Sequence, residues 1–234
     1  MKEETPLARS QIYKMFSTVL GYPGEELKAC LSDALVISQL NENAKKLPGY
    51  HMIKGHIQLL NTSIKGYGDN IFPTIISEYL DLFGQDQEPK CSPYELSYLA
   101  RGPLFMNTGN LADIAGFYKA FGLQVADGNK DRVDHITVEL EFMHFLTFKE
   151  AFALKNGDHR NLKVCREAQR KFLQDHLGQW TRAFQEQVNV NSNSSFYCEI
   201  TKLLDKFVSQ DSKIMGIKPE EIKRDQFKLS GGDL

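Results

Sequence analysis

An aspartate, a histidine and two glutamates crowd into Asp131-Arg132-Val133-Asp134-His135-Ile136-Thr137-Val138-Glu139-Leu140-Glu141-Phe142-Met143. This polar cluster opens a segment that then stays largely apolar for about five helical turns. Asp134 reads as the N-cap of that helix, with Val133 and Val138 as the flanking apolar pair, an arrangement worth about 1 kcal/mol of helix stability. His135 then occupies the first helical position, where the positive end of the helix dipole disfavours an imidazolium. Glu139 lies one turn further on the same side of an otherwise apolar helix. A carboxylate taken from water there needs a partner, either a resident Lys or Arg or an incoming cation, and on the residues alone the resident partner weighs more.

Three other groups carry polar chemistry. Tyr94 and Glu95 follow Ser92-Pro93, where Ser92 could cap a short helix with Pro93 and Glu95 completing a capping box. His176 falls on an apolar stripe between Phe172 and Trp180, one turn from each, and reads as a hydrogen-bonded core histidine. Glu141-Phe142-Met143-His144 matches the Glu-x-x-His unit of di-iron bundles, but that architecture needs a second unit, which the sequence does not supply. A helical metal protein using Glu141, His144, His135 and Glu139 is the alternative reading, and a structural or adaptor subunit is another. There is no GxSxG, HExxH, P-loop or GxGxxG, so no catalytic residue, metal or cofactor is expected.

These residues are positioned by helices almost throughout. Ile12, Phe16, Val19 and Leu20 recur at helical spacing up to Gly21-Tyr22-Pro23-Gly24; further amphipathic segments run from Leu27 to Leu40 and from about Tyr50 to Ile64. Pro73 opens a helix through Phe83 that Gly84 ends, and Gln85 to Ser92 reads as a polar loop and candidate hinge. Asn110 is expected to cap a helix that stops at Gly122, and a loop from Gln124 to Lys130 precedes the polar cluster. The helix beyond it, carrying Leu140, Phe142, Phe145, Phe148 and Phe152 around its circumference, is expected to be a central helix contacted on all sides, broken at Asn156-Gly157-Asp158. An amphipathic stretch from about His159 to Val190 and a last helix from Phe196 to Ile214 follow. Strand patterns are nearly absent. The expected fold is all-α, one compact helical bundle over residues 1–215, with a mobile tail over 216–234.

Composition narrows the function. The 234 residues are 41% hydrophobic and 25% charged, with a net charge of −2, so a phosphate-neutralising nucleic-acid surface has little support. The N-terminus has no signal-peptide core and no run reaches the ~18 apolar residues of a membrane span, which points to a cytoplasmic protein. Cys30, Cys91, Cys165 and Cys198 are too far apart for a CxxC motif and are expected to be reduced.

Three segments in fixed order resemble the TorD/DmsD/NarJ family of cytoplasmic chaperones that mature molybdenum-containing oxidoreductases. They are Tyr79-Leu80-Asp81-Leu82-Phe83-Gly84 leading to Ser92-Pro93-Tyr94-Glu95; Asp134-His135 with Glu139-Leu140-Glu141-Phe142-Met143; and Phe172-Leu173 with His176-Leu177, Trp180 and Phe184. The likeness covers the chain from about Ile12 to Phe207. It departs at Gly84-Gln85-Asp86-Gln87-Glu88-Pro89, where the family commonly has Gly-Pro-Gly, and at Val133, where a Pro often precedes Asp-His; both changes lie in loops. The resemblance implies a non-catalytic chaperone, a monomer or homodimer, that binds the signal peptide, often twin-arginine, or another N-terminal segment of an immature molybdopterin-containing catalytic subunit and assists cofactor insertion. A client arginine pair would meet Asp134, Glu139 and Glu95, with Tyr94 and His135 orienting the peptide.

Overall fold

In the computed structural model, which describes residues 3–32, 35–84, 89–99, 104–124 and 132–222, secondary structure is helical apart from one isolated antiparallel bridge between Tyr94 and His135. The helices are α1 (Glu4–Leu20), α2 (Glu25–Ser32), α3 (Leu35–Ala44), α4 (Tyr50–Tyr67), α5 (Ile71–Phe83), α6 (Leu96–Leu99), α7 (Leu104–Ala120), α8 (Ile136–Lys155), α9 (His159–Phe172), α10 (Gly178–Asn191) and α11 (Ser195–Ile214). A π-helical turn, Leu173–Leu177, joins α9 to α10 without a loop. No helix among the described residues is long and apolar enough to cross a membrane.

Helix α8 runs through the bundle between α1 and α9, while α10 and α11 pack on each other and α4 covers α11. Its buried residues include Ile136, Leu140, Phe142, Met143 and Leu146, and Phe142 meets Tyr118 of α7 and Phe172 of α9 edge-on at centroid distances of 4.8 and 4.9 Å. Contact does not reach every side of it: Glu141 is exposed, and Phe148 and Phe152 are 46% and 58% exposed. Trp180, fully buried on α10, stacks on Tyr98 at 5.3 Å.

Several local expectations meet their residues. Gly84, Gly122 and Gly157 have positive φ at the ends of α5, α7 and α8, as helix-stopping glycines do. Asp158 caps α9 by accepting from the Asn161 N–H at 3.0 Å. Three boundaries differ. Leu27 to Leu40 is two helices rather than one, α7 begins at Leu104 so that Asn110 lies inside it, and Asp134 is not the N-cap of α8. His135 takes that role: its Nδ1 accepts from the Thr137 N–H at 3.2 Å.

Of the hinge expected at Gln85 to Ser92, residues 85–88 lie outside the described residues, as do 125–130 of the loop before the polar cluster and 223–234 of the tail. The described part of that tail is held to the bundle. Ile222 donates its N–H to Gln179 O at 2.9 Å, Arg182 pairs with Glu221 at 2.8 Å, and the Pro219 ring sits where a Cβ on Gly178 would be.

Candidate functional site

The five residues singled out in the sequence converge where the 93–96 segment crosses the entrance to α8. Backbone bonds fasten the crossing: Ile136 N–H donates to Pro93 O at 2.9 Å and Glu95 N–H to Asp134 O at 3.0 Å. Asp134 serves the other strand of this crossing as well, since its Oδ2 accepts from Leu96 N–H at 3.2 Å, capping α6 from a distance. The capping box expected from Ser92 and Glu95 is thus replaced by a carboxylate thirty-eight positions away. Tyr118 completes the frame by donating to Val133 O at 2.8 Å.

The site has two layers. The outer one is built on Asp134, whose carboxylate is fully buried yet reaches the surface through Arg132. Arg132 Nε donates to Oδ1 at 2.9 Å and Nη2 to Oδ2 at 2.6 Å, a bidentate pair, and the guanidinium carbon lies 4.5 Å from the Tyr94 ring centroid. Half of the Arg132 side chain is in solvent. A planar fork with its face on an aromatic ring is an arginine-specific arrangement that an ammonium cannot reproduce. Tyr94 also rests on His135, centroids 5.1 Å apart, and the His135 ring is fixed by the Thr137 hydroxyl at 2.6 Å.

The inner layer is sealed. Glu95 and Glu139 have no exposed surface. Glu139 Oε2 accepts from Trp180 Nε1 at 3.1 Å, and Glu95 Oε1 accepts from His176 Nδ1 at 3.3 Å. The oxygens that remain, Glu139 Oε1 and Glu95 Oε2, are buried and have no hydrogen-bond partner among the described residues. Burial above all, with the neighbouring Glu95 carboxyl adding to it, holds the Glu139 carboxyl well above the usual carboxylate range. His176 Nε2 meets Asp113 at 3.1 Å on the far side. A carboxylate at each nitrogen favours the ring with both nitrogens protonated. Burial opposes that charge, but the hydrogen bond and charge of Glu95, together with Asp113, outweigh it and raise the His176 pKa above its ordinary value.

The structure therefore gathers all five residues but separates their exposure. Asp134 and Tyr94 face outward through Arg132; Glu95 and Glu139 lie behind them with no path to solvent, so direct contact of a client arginine with these two does not fit this conformation. Among the described residues their hydrogen-bond partners are neither Lys nor Arg but Trp180, at Glu139, and His176, at Glu95. Sequence reasoning missed Arg132 as Asp134's partner, although its place two positions upstream was in view, and missed that His176 and Trp180 belong to the same network. Glu141 and His144 do not converge: Glu141 is exposed and lies 3.7 Å from Lys14, while His144 Nδ1 is bonded to Ser10. Among the described residues no group of three or more His, Cys, Asp or Glu side chains is arranged to hold a metal ion.

Beside the first turn of α8 opens a cleft of about 330 Å³, whose lining includes Thr137, Val138, Lys14, Glu25, Glu26 and Glu141. It brings three carboxylates to the flank of the same helix entrance.

Residues 54–186 match the model of a family described as the nitrate reductase delta subunit. That span contains Tyr94, Glu95, Arg132, Asp134, His135, Glu139, His176 and Trp180. The chain is 28% identical over 208 residues to a perchlorate reductase assembly chaperone protein of Dechloromonas aromatica, covering 86% of this chain and 87% of that one. It is 26% identical over 153 residues to a chlorate reductase assembly chaperone protein of Ideonella dechloratans, covering 65% and 76%. Against the chaperone protein TorD of Vibrio parahaemolyticus it is 25% identical over 141 residues, covering 59% and 62%. Fold, site segments and similarity agree: the chain belongs to the nitrate reductase delta subunit family, whose relatives named here are assembly chaperones.

Proposed function

We propose that this protein is a cytoplasmic assembly chaperone for the catalytic subunit of a molybdopterin-containing reductase. It receives that subunit's basic N-terminal segment, including an arginine of a twin-arginine leader, at the crossing of 93–96 with 132–136. One observation carries this reading: the buried Asp134 carboxylate and the Tyr94 ring together hold the guanidinium of an arginine whose side chain is half open to solvent. Charge-assisted bonds of this kind contribute about 1.5–3 kcal/mol each. The acidic cleft along Glu25, Glu26 and Glu141 extends the anionic surface for basic residues flanking the arginine. Glu95, Glu139 and His176 act behind the contact surface, where they fix the 93–96 segment against α8 and α10. The relatives named for perchlorate and chlorate reductases point to an oxyanion reductase as the client.

Co-expression tests the function. A client catalytic subunit produced with the chaperone should carry more molybdenum and more activity than the same subunit produced without it. Full cofactor occupancy in both cases would refute the proposal. The family description as a subunit favours one second reading, a stable component of the finished enzyme. Native sizing separates the two, since a component co-purifies one to one with active reductase and a chaperone does not.

A further inference from the structure

We propose that Arg132 is a resident stand-in for the client's arginine: it occupies the guanidinium seat formed by Asp134 and Tyr94 and must be displaced for a client segment to bind. This rests on the reading of that seat as the client site. The seat has features an internal ion pair does not need. Asp134 is fully buried while its partner is half in solvent, so the carboxylate is fixed and the cation replaceable. The carboxylate is held from behind by the Leu96 N–H, and Tyr94 by the bridge to His135; neither hold depends on Arg132. Arg132, by contrast, precedes α8 and donates no other side-chain hydrogen bond among the described residues beyond the two to Asp134. The fork and the ring face select a guanidinium over an ammonium. An empty seat would leave a buried carboxylate uncompensated, which the resident arginine prevents between clients.

A seat filled about nine-tenths of the time by its own chain weakens a visitor about tenfold. Isothermal titration with a short synthetic peptide carrying an Arg-Arg pair, and with its Lys-Lys counterpart, reads this directly. Arg132→Ala should bind the Arg-Arg peptide about tenfold more tightly than the natural chain, with little change for Lys-Lys. Arg132→Lys, which keeps a positive charge on Asp134 and guards against misfolding, should show part of that gain. Equal tightening for both peptides would reduce Arg132 to a general repulsive charge and overturn the stand-in role. So would Arg-Arg binding by the natural chain that Arg132→Ala leaves unchanged or weakens; in that case the client site itself still stands. Binding by neither protein would overturn both readings.

Discussion

Helix α8 carries a fully buried carboxylate in each half, Glu139 near its start and Glu150 in its second half, and the two are satisfied in opposite ways. Glu150 belongs to a closed network. Arg9 of α1, wholly buried, donates to Glu150 at 3.0 Å, to Gln169 at 2.7 Å and through both Nε and Nη2 to Asp211 of α11. Tyr13 adds a bond to Asp211 at 2.6 Å, and Arg166 and Gln169 complete Glu150 at 2.8 and 3.0 Å. Two cations face two carboxylates, and the network ties α1, α8, α9 and α11 together. Around Glu139 no Lys or Arg enters among the described residues. The acids there meet Trp180 and His176 instead, and an arginine stands one layer out, on Asp134. A closed network holds a fold together; one that ends on a half-exposed cation leaves room for a ligand.

Breaking the closed network should have the largest effect. Arg9→Ala leaves Asp211 and Glu150 uncompensated and should lower unfolding free energy by about 3–5 kcal/mol in denaturant titration. Peptide affinity of the folded fraction should not change. At the other end the effect should depend on which group is substituted. Glu139→Ala strands the buried Trp180 N–H, costing about 1–3 kcal/mol. Glu139→Gln, whose amide both accepts from Trp180 and donates to Glu95, should stay within about 1 kcal/mol of the natural chain. A large loss for Gln would mean that the folded chain needs the charge of Glu139.

The same pair makes a prediction with pH. Glu139 is raised above its ordinary value, so the folded chain holds a proton the unfolded chain has lost. Stability should therefore fall as pH climbs above about 4.5 towards the raised value. His176, also raised, contributes stability that is full below about 6.5 and disappears as pH passes its folded value, the same direction. Denaturation midpoints should thus decline from weakly acidic to alkaline pH, and Glu139→Gln should flatten the decline; a midpoint rising over that range would contradict both assignments. The smallest effect belongs to the surface. Lys90 and Asp81 form a 2.5 Å pair with both side chains more than half exposed, and Lys90→Ala should shift stability by no more than about 0.5 kcal/mol.

Much of the fold was legible from local pattern. Periodicity and stop signals place α4, α5, α8 and α11 near their observed limits, and the end though not the start of α1, because amphipathic spacing and turn residues act within a few positions. What local pattern could not show was partnership over distance. Asp134 looks like a helix cap when only its neighbours are considered; in the fold it caps α6 instead, and His135 takes over at α8. Arg9 and Asp211 are 202 positions apart, and nothing in either neighbourhood announces the other. The aromatic positions of α8 gave no sign that Phe148 and Phe152 would be left exposed, since burial depends on which elements pack beside each position. The site residues were found as a group, yet their division into an outward Asp134–Tyr94 pair and an inward Glu95–Glu139 pair required the crossing of the 93–96 segment over α8.

The central claim is that a client's basic N-terminal segment docks on that crossing. Hydrogen–deuterium exchange of the chaperone with and without a peptide corresponding to the client's N-terminus tests it most directly. Slowed exchange should concentrate in the backbone amides of 93–96 and 132–138, and Asp134→Ala should abolish it. Protection confined to a different surface, such as the cleft between α4 and α11 lined by Tyr67 and Ser195, would contradict it.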